Sequence, residues 1–155
     1  MPSRTSGTEL QLRLAVPADV ESIAAIEKEQ FSRPWNQDAI AAEISLPLAR
    51  VYLAVSVPDG RLCGYSVLRR IGPTAELLRM AVAELQKRRG VAAALMGKMI
   101  CELRREGALE VLLEVRQSNL AARALYEKYS FFYQGIRPEY YRFPDEDACL
   151  YRLTL

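Results

Sequence analysis

Histidine is absent from all 155 residues. That absence excludes the Ser-His-Asp triad, the Cys-His pair and the usual mixed zinc sites, each of which needs an imidazole. Acid–base chemistry in this chain therefore falls to Glu, Asp, Tyr, Lys, Cys or water. Cysteine is scarce: Cys63, Cys101 and Cys149 lie far apart, with no C-x-x-C pair and no even-numbered set, and they read as free core thiols. No metal site is expected. Neither sign of charge is in excess, since 21 Lys and Arg stand against 19 Asp and Glu; a net charge of +2 is too small to argue for a nucleic-acid partner. The N-terminal "MPSRTSGTEL" lacks an apolar run, so it reads as neither a signal peptide nor a membrane helix. Residues 1–9 are expected to form a flexible tail and residues 10–155 a single domain, cytoplasmic and without a membrane partner.

What is present is ordinary for a soluble globular chain: 50% hydrophobic and 26% charged residues, at a length able to bury a substantial core. "LQLRLA" alternates and predicts a first strand. Asp19 is placed to cap a helix carrying Val20, Ile23, Ile26 and Phe31 at helical spacing, and Asn36 to cap a second, "QDAIAAEI". "RVYLAVSV" and "RLCGYSVLRRI" flank Pro58-Asp59-Gly60 and predict a hairpin, followed by a strand over "AELLRMAV". From Gly90 to Glu106 runs a helix whose apolar row is Val91, Leu95, Met99 and Leu103, ended by Gly107. "LEVLLEV" predicts a central strand, "NLAARALYEKY" a helix, and "FFYQGI" and "ACLYRLTL" two closing strands. The order is β-α-α-β-β-β-α-β-α-β-β, which is an α/β fold.

Three groups of residues are candidates for chemistry. In "KRRGVAAALM" three basic residues precede a helix N-terminus, where the helix dipole favours negative charge. An anion docked on the free N–H groups would remove that conflict, and the missing side chain of Gly90 would let a phosphate approach. The spacing is not that of a Walker A loop, and a solvated basic turn or a weak nucleic-acid patch remain open. In the strand "LEVLLEV", alternation puts Leu109, Val111, Leu113 and Val115 on one face, with Glu110, Leu112, Glu114 and Arg116 on the other. Glu114 thus stands near the strand's carboxyl end, where ligands of α/β sheets tend to bind. Ser118 or Asn119 caps the next helix, on which Asn119 and Tyr126 face one way, so that a carboxylate, an amide and a phenol are candidates to share one cleft. An edge glutamate, a capping amide and a core phenol would have the same spacing. The aromatic clusters "FSRPW" and "RPEYY" would suit either a groove for a peptide or a satellite core, and "PDEDA" reads as a solvated turn that could also attract a basic substrate.

These motifs together resemble the GCN5-related N-acetyltransferases (GNAT), and within them the ribosomal-protein-alanine N-acetyltransferases of the RimI type. The resemblance spans roughly Leu12 to Leu155 and rests on "FSRPW", on "MAV" followed by "KRRGVA", on "LLEVRQSNLAARALYEKYSF", and on "GIRPEYY" and "EDA". It implies a single-domain GNAT fold with a mixed, mostly antiparallel sheet flanked by helices. It implies transfer of an acetyl group from acetyl-CoA to the N-terminal amine of a protein, a small-subunit ribosomal protein with N-terminal alanine. On the family's pattern the acetyl and pantetheine portion lies along Met80, Ala81 and Val82, and the pyrophosphate on Arg88, Arg89, Gly90, Val91, Ala92 and Ala93. Asn119 falls on the cofactor asparagine, Glu114 on the general base and Tyr126 on the general acid. The pattern implies neither a metal nor direct contact with nucleic acid.

The chain departs from that pattern at four places. Arg79 stands where asparagine is usual, Ala83-Glu84 where Asp-Pro is common, Ala92 at the second loop glycine, and Ser130 at a helix-ending glycine. Two other functions fit the same residues: acetylation of lysine, a polyamine or another small amine, and a non-catalytic CoA-binding module.

Overall fold

The computed structural model describes residues 9–155. Of the tail expected at residues 1–9, residues 1–8 lie outside the described residues, and Glu9 already belongs to the first strand. In chain order the elements are β1 (Glu9–Leu14), α1 (Val20–Gln30), α2 (Gln37–Ser45), β2 (Ala49–Val57), β3 (Leu62–Ile71), β4 (Thr74–Val82), α3 (Val91–Arg105), β5 (Glu110–Arg116), α4 (Leu120–Lys128), β6 (Phe132–Tyr141) and β7 (Glu146–Thr154). This is the order read from the sequence. Short 3-10 turns precede α1 and α3.

The seven strands run in the order β1-β2-β3-β4-β5-β7-β6. Antiparallel ladders join β1 to β2, β5 to β7 and β6 to β7, while β4 and β5 are parallel, so the sheet is mixed. The last strand therefore inserts between β5 and β6. No helix among the described residues is long and apolar enough to cross a membrane.

The caps follow the side-chain chemistry. Asn36 Oδ1 accepts from Ala39 N at 2.8 Å, and Asn119 Oδ1 from Ala122 N at 3.2 Å. Asp19 occupies the cap position of α1 but makes no bond into the helix. Its carboxylate accepts a two-pronged bond from Arg13, 2.8 Å on each oxygen, and another from Val16 N at 2.7 Å. Gly107, at φ 81°, ends α3 through its N–H to Arg104 O at 3.2 Å.

The chain divides into two compact units, and β3, β4 and α3 each pass from one to the other. The first holds the described residues up to Val67 together with Arg79–Met99. Its core includes Ile23, Ile26, Leu53, Tyr65, Val91, Leu95, Met96 and Met99. The second holds Leu68–Leu78 and Ile100–Leu155, and buries Ala75, Leu77, Leu103, Val111, Leu113, Phe131, Tyr151 and Leu153. The apolar row of α3 is buried throughout its length, at ~1.5–3 kcal/mol for each large side chain taken from water.

Candidate active site

In the first unit, β4 ends at Met80, Ala81 and Val82, and Ala83 N donates to Cys63 O at 2.8 Å. β3 lies so close here that a Cβ on Gly64 would meet Ala81 O at 2.9 Å and Val91 Cγ1 at 2.8 Å. That approach seats the first turn of α3 on the strands. The connecting turn is held by Glu84, whose N–H donates to Glu29 Oε1 at 2.5 Å and whose carboxylate accepts from Gln30 at 2.9 Å. Lys87 is paired with Glu84 at 2.9 Å, so the basic run keeps only Arg88 and Arg89 clear of this carboxylate. Both arginines are exposed. Arg88 at φ 64° and Gly90 at φ 79° are left-handed, and a Cβ at Gly90 would meet nothing within 4 Å. The first turn of α3 then offers Val91, Ala92 and Ala93, and the two alanines are only partly covered. Small residues, adjacent guanidinium groups and the N–H groups of a helix start suit a pyrophosphate.

In the second unit, β5 alternates as its sequence requires: Val111, Leu113 and Val115 are buried, and Glu110, Leu112, Glu114 and Arg116 are half-buried. The parallel ladder with β4 ends at Leu77 and Leu113, which makes Glu114 the first residue of β5 beyond it. On the other side Glu114 pairs with Leu150 of β7. Its side chain is 26% exposed and its Oε1 lies 2.8 Å from Arg137 Nη1. The Arg137 guanidinium lies 5.1 Å from the centre of the Tyr140 ring. Tyr140 hydrogen-bonds the same carboxylate, and that bond, ahead of burial, raises its phenol above the ordinary value. The sequence exposed the position of Glu114 but neither of these partners.

Tyr126 lies elsewhere. Its ring packs 5.7 Å from Phe131 and 6.2 Å from Tyr151. Tyr151 is the register partner of Leu113, and paired residues share a face of the sheet. Two more contacts from α4 reach the same place: Arg123 Nε donates to Tyr151 Oη at 3.1 Å, and Tyr151 Oη donates to Glu127 Oε1 at 3.0 Å. Tyr126 thus occupies the Leu113 face, whereas Glu114 points to the opposite one. Strand alternation does not bring the carboxylate and the phenol onto one face; a ligand touching both has to reach past the end of the β4–β5 ladder at Leu113. Burial raises the Tyr126 phenol, with a smaller contribution from Tyr141, so it remains protonated near neutral pH. Asn119 is exposed, and its amide oxygen is used in the α4 cap.

Two further clusters were only partly legible. In the first unit Glu27 is fully buried and accepts hydrogen bonds from Tyr65 Oη and from Trp35 N at 3.0 Å. Arg79 Nη2 donates to Glu27 Oε2 at 3.3 Å and to Arg33 O at 3.1 Å. Its Nε is 3.2 Å from Glu27 Oε1 but poorly aligned, so that contact is ionic rather than a hydrogen bond. The guanidinium lies over Phe31 at 4.0 Å and Trp35 at 4.7 Å. The "FSRPW" aromatics therefore enclose the arginine that replaces the family's asparagine. A charged residue at the core-facing position four after Ile23 was the available signal for Glu27.

In the second unit the acidic turn is more than a solvated loop. Glu146 accepts from Ser118 N at 2.6 Å and Ser118 Oγ at 2.9 Å, and pairs with Arg116 at 3.4 Å. The Ser118 hydrogen bonds, with a lesser contribution from Arg116, hold its carboxyl below the usual range against the opposing effect of burial. Arg116 also donates to Pro144 O at 2.8 Å and Arg142 O at 2.9 Å, and lies over the Tyr141 ring at 4.5 Å. Among the described residues no group of three or more His, Cys, Asp or Glu side chains is placed to hold a metal.

The model of the Acetyltransferase (GNAT) family matches residues 20–131. The chain belongs to this family. It is an N-acetyltransferase by family, and acetyl-CoA is the family's acetyl donor. Among its relatives is the [ribosomal protein bS18]-alanine N-acetyltransferase of Escherichia coli K12, 30% identical over 139 residues, which cover 88% of this chain and 92% of the relative. The corresponding enzyme of Haemophilus influenzae is 29% identical over 126 residues, 81% of this chain and 84% of that one. The crystal structure of the E. coli ribosomal-protein-S18-alanine N-acetyltransferase superposes with a TM-score of 0.87 at 27% identity, covering 94% of each chain. Ard1 from Thermoplasma volcanium gives 0.85 at 27% identity, with 94% and 97% covered.

Proposed function

We propose that this acetyltransferase moves the acetyl group of acetyl-CoA onto the N-terminal amine of a protein, the N-terminal alanine of a small-subunit ribosomal protein, with Glu114 as general base and Tyr126 as proton donor. A ribosomal acceptor would place the enzyme in the cytoplasm. The observation that carries the reading is the state of Glu114: a carboxylate one residue past the end of a parallel ladder, open to water, and already in contact with a cation.

Acetyl-CoA supplies an activated thioester. Met80, Ala81 and Val82 would hold it through the backbone, with the Val82 N–H facing the oxygen on which charge develops. Arg88, Arg89 and Gly90, with the first turn at Val91, Ala92 and Ala93, would hold the pyrophosphate, and Asn119 the cofactor's pantetheine side. The acceptor needs little help to become a nucleophile. An α-ammonium has a pKa of ~7.7–8.0, so roughly a tenth is neutral near pH 7, whereas lysine at ~10.4 is hundreds of times harder to deprotonate. Glu114, directly or through a water, suffices for the first and is poorly matched to the second.

Tyr126 answers a different need. Phenols titrate near ~10 and thiols near ~8.5, so outright transfer of its proton to a free thiolate runs uphill in water. Burial makes Tyr126 a weaker acid still, but also penalises a thiolate beside it. Its part is to donate a hydrogen bond to the leaving sulfur, with the proton following as charge develops.

The deciding experiment offers acetyl-CoA and peptides that differ only in their first residue, each also carrying an internal lysine, and locates the acetyl group by mass spectrometry. Modification of the α-amine with preference for alanine supports the reading. Modification at lysine replaces it with a side-chain acetyltransferase, and CoA binding without thiol release replaces it with a non-catalytic module.

A further inference from the structure

Glu114 and Arg137 meet at 2.8 Å, and the manner of their meeting carries a consequence for the acceptor. Arg137 is 53% exposed and lies on β6, a sheet edge. Its register partner is Ala148, and the ladder turns irregular immediately after it, between Arg137 and Tyr141, where Glu139 takes φ 51°. The guanidinium has two holds, the Glu114 carboxylate and the face of Tyr140. Releasing the first leaves the second in place. An ion pair this exposed is weak and therefore exchangeable. The contrast is with Arg79, which is locked against a fully buried carboxylate and enclosed by two rings.

A base that takes the proton of an α-ammonium directly has to receive that cation at its carboxylate, where Arg137 already sits. We propose that Arg137 is a tethered surrogate of the acceptor's ammonium, which a cationic N-terminus displaces from Glu114 on binding, so that Arg137 determines which acceptors reach the base. This rests on the reading of Glu114 given above. The exchange is cation for cation: the guanidinium stays on the Tyr140 ring and the incoming ammonium takes over the contact with the carboxylate. An acceptor without a positive charge gains nothing from the exchange and leaves Arg137 where it is. The inference therefore concerns a specificity-determining residue rather than a further acid or base.

The test is calorimetric, on CoA-loaded protein, with an alanine-initiated peptide and the same peptide acetylated at its N-terminus. Arg137→Gln is expected to bind the free-amine peptide at least about threefold more tightly than the wild type does, the scale of an exposed ion pair. The blocked peptide is expected to bind both proteins alike, and Arg137→Lys, which keeps the competing charge, to stay within about twofold of wild type for the free amine. Unchanged or weaker binding of the free-amine peptide to Arg137→Gln overturns the inference, as does equal tightening in Arg137→Lys. If wild-type protein acetylates no peptide α-amine at all, the proposed function fails instead; if it does, and Arg137→Gln gains no affinity, only the role of Arg137 falls.

Discussion

Glu114 and Glu27 are both carboxylates held by arginine, and their surroundings give them opposite characters. Glu114 is open to water and exchangeable, which suits a base. Glu114→Gln is expected to lower kcat by about 10²–10⁴-fold while leaving acetyl-CoA affinity unchanged, as read by steady-state kinetics and calorimetry. Tyr126→Phe should slow turnover by a smaller factor, because backbone donors would still serve the reaction. Glu27 is sealed, and its partners are Tyr65, Trp35 N and Arg79. Removing the cation would leave a buried charge, so Arg79→Met should cost about 3–5 kcal/mol in urea unfolding. The double variant Glu27→Gln, Arg79→Met should recover part of that loss. Of this cluster the sequence disclosed Arg79, as a departure from the family, and the aromatics around it. Glu27 stayed hidden because a single charge among the apolar positions of α1 looks the same whether it tilts outward or stays inside.

At the scale of elements, α3 shows how much a periodic pattern determines. Val91, Leu95, Met99 and Leu103 were read as one row, and all are buried. Ser130, noted where a glycine is usual, is left-handed at φ 70°. What the pattern does not contain is how deeply α3 sits on β3. That depends on Gly64, whose missing side chain leaves no more than 2.8 Å between an added Cβ and Val91. Gly64→Ala should push the start of α3 off the strands, costing about 1–3 kcal/mol of stability. It should also weaken CoA binding more than Gly97→Ala, where an added Cβ meets nothing within 4 Å. Thermal melts and CoA calorimetry on the two variants would separate these effects. The faces of β5 could likewise be counted from its own residues, but the side from which Tyr126 approaches could not, because that depends on where α4 lies against β7.

For the whole molecule, the element order was legible and the strand order was not. Pairing of β7 with β5 joins residues about 40 positions apart, such as Glu110 with Thr154, and no local pattern encodes it. The titration behaviour of the chain is simpler. Arg13 holds Asp19 below the usual carboxylate range, and Ser118 does so for Glu146. Groups whose folded pKa is depressed add stability above their unfolded values, and that stability is lost as pH falls through the folded ones. At the other end, burial raises Tyr65 and Tyr126, whose contributions hold below the unfolded phenol value of ~10 and fade as pH rises beyond it. With no histidine, no side chain of ordinary pKa titrates between pH ~5 and ~8. The melting temperature should therefore be flat across that interval and fall below pH ~4, and a step near pH 6.5 would contradict this.

The chain contains one tryptophan, and it lies beneath a guanidinium. Every change in indole emission therefore reports on Trp35 alone, at the junction of α1 and α2. Solvent entry into that cluster, whether from denaturant or from a substitution at Arg79, should shift the spectrum to the red, giving the protein a built-in optical probe that needs no label.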